Sequence, residues 1–128
     1  MFTIEQIHDV HDRLGNAETL AAYLRALNAI GVETSDSFVA DGHSEYFGKG
    51  GSRVVSAPVH EKLTVAETAN RKSLLEHLRL HNQGETSYLE MSKGLADSGV
   101  EKWTFDMNEM TIAYYDSAGN EMLVETVT

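Results

Sequence analysis

Apolar residues recur three or four apart at Ile4, Ile7, Val10 and Leu14, and Gly15 ends the run. That spacing predicts an amphipathic helix over residues 4–14, opened by the capping-box pair Thr3 and Gln6. A second stripe, Leu20, Tyr23, Leu24, Leu27 and Ile30, is padded with alanines, with Asn16 as its expected cap and Gly31 as its stop. From Val32 the period changes to two. Val32, Thr34, Phe38 and Val39 lead to the turn dipeptide Asp41-Gly42 and on to Ser44–Phe47, which predicts a hairpin. Gly48-Lys49-Gly50-Gly51 reads as a loop, with short extended pieces expected at 53–56 and 63–66 around Pro58. Thr64 and Glu67 also form a capping box that would start a helix early. A third helix is predicted from about 68 to 82, with Leu74, Leu75 and Leu78 on one side and Gly84 beyond its end, and a fourth from Thr86 to Gly99. Alternation at Trp103, Phe105 and Met107, a turn at Asn108-Glu109, the run 110–115 and a turn at 117–120 into 121–127 predict a three-stranded antiparallel meander.

Helices and antiparallel strands segregated in this way predict an α+β fold: one antiparallel or mixed sheet with about four helices mainly on one face. No linker, internal repeat or second domain shows in the pattern, so residues 1–128 are expected to form a single domain. In the meander, Met110, Ile112 and Tyr114 fall on one face and Ala113 and Tyr115 on the other. That predicts a sheet covered on both sides, by its own helices or by a second copy of the chain.

Composition narrows the class. With 128 residues, 41% hydrophobic and 23% charged, the chain can bury a sizeable core. It has no Cys, which removes disulfides and thiolate chemistry. The opening Met1-Phe2-Thr3-Ile4-Glu5 lacks the basic flank and apolar stretch of a secretory signal, and no run approaches membrane-spanning length. A cytoplasmic protein without membrane attachment is the expectation. Ten Lys and Arg against twenty Asp and Glu give a net charge of −10, which disfavours direct nucleic-acid binding. Residues 49–79 run the other way: six cations against three carboxylates make a local +3 and leave −13 for the rest. Those cations are expected to be solvated or paired.

Candidate chemistry centres on histidine. His77 and His81 lie four apart on the third helix, a spacing that sets two imidazoles side by side for a divalent metal; His11 and His8 on the first helix could add ligands if the helices meet. Leu78 stands where a zincin motif needs Glu, so metalloprotease chemistry is not supported. A packed histidine at the edge of a leucine stripe is the competing reading for each. No cofactor is predicted, a divalent metal being the one candidate. The segment 48–53 has the glycines and cations of a phosphate cradle but not the P-loop spacing, and reads more simply as a loop. Asp41, His43 and Ser44 are triad residue types, but their adjacency in sequence reads as a turn. Trp103 is expected in the core.

The residues His81-Asn82-Gln83-Gly84, Thr86, Tyr88, Gly99-Val100, Trp103, Asp106, Tyr114-Tyr115 to Gly119 and Glu125 resemble the YbcV-like family, small bacterial and prophage proteins of unknown function sometimes labelled phage envelope proteins. The resemblance spans about residues 70–127 well and the N-terminal half more loosely. It implies an α+β fold, a bacterial or phage-derived source and no established activity. The leading expectation is therefore a non-catalytic accessory protein that binds a protein partner, or itself as a homodimer, through its acidic surface. The rivals are a small-ligand or metal-binding enzyme or sensor using the helix histidines over a pocket between helices and sheet, and a minor phage structural protein.

Overall fold

The computed structural model describes residues 2–15 and 19–128. The expected helix cap Asn16 lies outside the described residues. Helix α1 (Ile4–Leu14) is closed at its start by the reciprocal bonds of Thr3 and Gln6, and it buries Ile7 and Val10. Helix α2 (Leu20–Ala29) buries Tyr23, Leu24 and Leu27 and ends before Gly31, which takes φ +106°. Strand β1 (Val32–Phe38) turns at Gly42 into β2 (Ser44–Gly48), and a single 3-10 turn at Lys49–Gly51 leads to the short β3 (Arg53–Val55). Helix α3 (Arg71–Asn82), helix α4 (Tyr88–Asp97) and strands β4 (Val100–Asp106), β5 (Thr111–Asp116) and β6 (Glu121–Thr126) complete the chain.

The architecture is α+β, with four helices and a six-stranded antiparallel sheet among the described residues, ending in the β4-β5-β6 meander. Local signals were displaced at three points. α3 starts at Arg71 under an Asn70 cap rather than near 68, and α4 starts at Tyr88 under a Ser87–Glu90 capping box rather than at Thr86. Residues 56–70 hold neither the extended piece expected at 63–66 nor an early helix. They form a strap whose backbone bonds reach other elements: Leu63 N donates to Ala40 O, Ala66 N to Ala96 O and Asn70 N to Ser98 O. These tertiary bonds satisfy the amides that a helix would otherwise use.

Strand order is β3-β2-β1-β4-β5-β6, which reads alike from both edges. The chain is two α-α-β-β-β units in succession, and the correspondence holds residue by residue. Gly31 and Gly99 are 68 positions apart, each at positive φ between a helix and a strand. Leu27, Gly31, Val32 and Glu33 recur at that offset as Leu95, Gly99, Val100 and Glu101. Ser35 faces Tyr46 in the first unit, as Trp103 faces Tyr114 in the second. The pairing slips after Val32 in β1 and again after Val100 in β4. The internal repeat that hydrophobic patterning did not reveal is thus carried by register and by a shared bulge.

The units join through β1 and β4, with Thr34 opposite Asp106, Asp36 opposite Thr104 and Phe38 opposite Lys102. An approximate twofold axis passes through the Asp36–Thr104 pair, where Thr104 Oγ1 donates to Asp36 Oδ1 at 2.6 Å. Helices from both units pack on the face that carries Tyr46, Trp103, Phe105, Ile112 and Tyr114, all buried. Among the described residues no helix covers the opposite face, the first of the two covers expected for it. It is a lattice of polar and aromatic groups: Lys102 Nζ lies 3.4 Å from Asp36 and over the rings of Phe38 and Tyr115, and Phe38 stacks on His43.

The two hinge glycines differ in what surrounds them. A Cβ on Gly99 would lie 2.6 Å from Thr68 O, whereas one on Gly31 would meet only a Phe2 ring carbon at 3.7 Å. Both positions carry the left-handed backbone penalty, but only Gly99 adds a collision with the strap. Urea denaturation of Gly31→Ala is expected to show a loss of about 1–2 kcal/mol, and Gly99→Ala a loss of about 3 kcal/mol or more, from backbone strain and overpacking together.

Candidate functional site

Because both units place their helices on one face of the sheet, a cleft opens over the twofold axis between the α1–α2 and α3–α4 pairs. Its volume is about 450 Å³, within the range of small-molecule sites. Tyr23, Tyr46, Tyr88, Tyr114, Trp103 and Phe105 contribute aromatic surface, and among the described residues no Asp, Glu, Lys or Arg lines it. The rings are held at fixed angles: Tyr23 stands edge-on to Phe105, with centroids 6.5 Å apart, and Tyr88 edge-on to Trp103 at 6.4 Å. Edge-to-face pairs of this kind fix ring orientation beyond what area burial alone does.

The serine hydroxyls of the lining come from the first unit, and the second contributes His81 and Asn82. Alternation along β1 and β2 turns Ser37 and Ser44 inward, their hydroxyls 2.8 Å apart. Ser44 N donates to Ser56 Oγ at 2.8 Å at the start of the strap. Burial pushes the phenols of Tyr23, Tyr46, Tyr88 and Tyr114 above the ordinary tyrosine range; the neighbouring Tyr46 adds to the effect at Tyr23, and Glu125 to that at Tyr114. Tyr88 shows this although its residue is 43% exposed. At neutral pH the cleft therefore presents neutral hydroxyls on an apolar wall, each able to donate one hydrogen bond and accept two.

The four histidines separate. His11 and His81 each come from the last turn of the first helix of a unit, and both line the cleft. His11 stands edge-on to Tyr23 at 5.9 Å, and His81 Nδ1 lies 3.1 Å from Thr86 O. His8 is exposed on α1, and His77 packs its ring against Gly94 of α4. The helical spacing of His77 and His81 thus turns one into the helix contact and the other into the cleft. Among the described residues no three His, Asp or Glu side chains gather as a metal-ligand group.

The remaining motifs resolve by which face they take. His43 Nδ1 is 2.6 Å from Asp41 Oδ1 and its Nε2 is 3.6 Å from Glu45, on the outer face, while the Ser44 hydroxyl points inward. Strand alternation keeps the three triad residue types from meeting. Burial opposes ionisation of Asp41, but the backbone N–H and imidazole of His43 outweigh it and hold the carboxyl below the usual range. At 48–53, Ser52 N bonds to Lys49 O, Gly48 N to Ser52 O, and Arg53 pairs with Glu45. Lys49 shares a shallow cleft with the Glu33 carboxylate. An anion would meet spent amides and a like charge there. Trp103 is buried in the core as expected and also forms part of the cleft wall.

Sequence reasoning missed Tyr23, Tyr46, Ser37 and Ser44 as one site. The legible signal was the repeated Gly-Val-Glu at 31–33 and 99–101. It aligns the two units and shows small polar residues standing in the first where large apolar ones stand in the second.

Because the folded state resists ionising four of the five tyrosines, their neutral forms contribute stability that is complete below the unfolded value of 10.0 and declines as pH rises above it. An alkaline titration is expected to show most tyrosinate absorbance appearing together with loss of the far-ultraviolet dichroism. Ionisation of these phenols with the fold intact would contradict the enclosed hydroxyls.

No curated protein matches the chain. A family model does, over residues 8–126, and its description is a protein of unknown function, DUF1398. The chain, cleft and both units included, belongs to the DUF1398 family of proteins of unknown function.

Proposed function

We propose that the protein is a non-catalytic receptor or carrier for a small, uncharged, largely aromatic molecule bound in the cleft between its two units. The observation that carries this reading is a cleft of about 450 Å³ walled by six aromatic side chains and, among the described residues, without any Asp, Glu, Lys or Arg. Aromatic walls favour a flat apolar ligand, and burying a charge there without a partner would be costly. Neither imidazole of the cleft adjoins an inward serine in a nucleophile–base pair, which supports binding over catalysis. Several residues that carry the YbcV-like resemblance, His81, Asn82, Tyr88, Trp103 and Tyr114, also line the cleft. The YbcV-like resemblance supports a bacterial or prophage-derived source, and the cysteine-free composition fits a cytoplasmic setting; no helix among the described residues is long and apolar enough to cross a membrane.

A metal-assisted version of the same reading uses His11 and His81, the two of the four candidate histidines that line the cleft. Ligand groups or waters would then complete the coordination. A protein partner or a second copy of the chain is the reading for the outer sheet face, where Lys102, Asp36, Glu45 and Arg53 alternate with Phe38 and Tyr115.

The test uses the single tryptophan, since Trp103 is part of the wall. Uncharged aromatic compounds and divalent metals are screened by thermal unfolding together with tryptophan emission. A bound compound at 100 times its dissociation constant should add about 2.7 kcal/mol of stability and change the Trp103 emission. Stabilisation without an emission change would place binding outside the cleft and overturn the reading. A metal response abolished in His11→Ala/His81→Ala would select the metal-assisted version.

A further inference from the structure

The two units fill the cleft unequally, and the difference follows the 68-residue offset. Where the second unit places Trp103, Phe105 and Ile112 on the inner face, the first places Ser35, Ser37 and Ser44; Tyr46 and Tyr114 occupy matching positions. All six of the unmatched residues are at most 9% exposed. Serine is a poor choice for a buried position in a central strand, where β-branched and aromatic residues pack best. Ser37 and Ser44 line the cleft and are smaller than Phe105 and Ile112, which stand at their positions in the second unit, while Ser35 is buried outside the lining. Their hydroxyls lie on the cleft floor 2.8 Å apart, with Ser56 Oγ beside them on the Ser44 amide. The Ser37–Ser44 bond uses one donor and one acceptor site and Tyr46 also bonds Ser44, so the pair keeps acceptor sites for a ligand.

Resting on the cleft reading above, we infer that this serine row determines specificity: the ligand is an uncharged planar aromatic that carries a hydroxyl or carbonyl group. Its ring lies against Trp103, Phe105 and Ile112 of the second unit. Its polar group meets Ser37, Ser44 and the Tyr46 phenol of the first. The duplicated fold thus sets the surface for the ring and the surface for the polar end side by side on the sheet floor, where Ser37 pairs with Trp103 across β1 and β4, with no charged residue among the described lining. A site built to bond a ligand hydroxyl discriminates strongly against the analogue that lacks it, because the buried protein hydroxyls are left unpaired.

Calorimetric titration of the full chain with naphthol, naphthalene and naphthoate tests this, in the wild type, Ser44→Ala and Ser37→Phe/Ser44→Ile. The last variant copies Phe105 and Ile112 into the first unit. Naphthol is expected to bind about tenfold more tightly than naphthalene, on the scale of one well-made hydrogen bond, with naphthoate weaker than naphthol. Ser44→Ala should bring naphthol close to naphthalene while leaving naphthalene unchanged. The filled variant should lose both and unfold at the wild-type temperature or above. If naphthol and naphthalene bind alike and Ser44→Ala alters neither, the serine row does not read the ligand, although the cleft still binds. Tightest binding of naphthoate would overturn the uncharged class. Binding of no probe would remove the cleft reading itself, and the inference with it.

Discussion

The antiparallel pairing of β1 with β4 is the contact on which the rest of the molecule depends. It is the only strand pairing between the two units among the described residues, and Asp36 opposite Thr104 marks its centre. Two three-stranded sheets, each with a helix pair on one face, are individually too small to bury their apolar sides well. Joined edge to edge in this register they share one six-stranded sheet. Because antiparallel joining about a perpendicular axis keeps faces matched, both helix pairs land on the same side. The outer face needs no helix, because paired charges and stacked rings stand among its few exposed aliphatic side chains, Val55 and Val124.

The cleft is a consequence of that joining. Each helix pair packs chiefly on its own unit, α2 leading into β1 and α4 into β4 through Gly31 and Gly99. Over the axis the sheet is left for side chains to fill. In the second unit Trp103, Phe105 and Ile112 do so; in the first, Ser37 and Ser44 do not. The strap over 56–70 reaches across to Ala96 and Ser98 and brings Ser56 and Val59 to the rim. Buried phenols kept neutral by desolvation sit in an otherwise strongly acidic protein, whose charged side chains, among the described residues, lie outside the cleft.

Much of this was legible in the residues. Periodicity placed four helices and the C-terminal meander, because amphipathic stripes such as Ile7–Val10 and Leu74–Leu78 and the alternation at Trp103 and Phe105 are local consequences of helix and strand geometry. Caps placed α1 well but not α3, since Asn70 and the strap's tertiary bonds outcompeted the Thr64–Glu67 pattern. His77 and His81 were legible as neighbours on a helix; that one faces Gly94 and the other the cleft depends on where α4 docks. The sequence by itself determined the elements, the acidity, the lack of thiol chemistry and, in Gly-Val-Glu at 31–33 and 99–101, the trace of a duplication. Only the tertiary structure decided that the two units join through β1 and β4 and that serines of one face aromatics of the other, because that pairing rests on contacts between residues 68 or so positions apart, which no local pattern encodes.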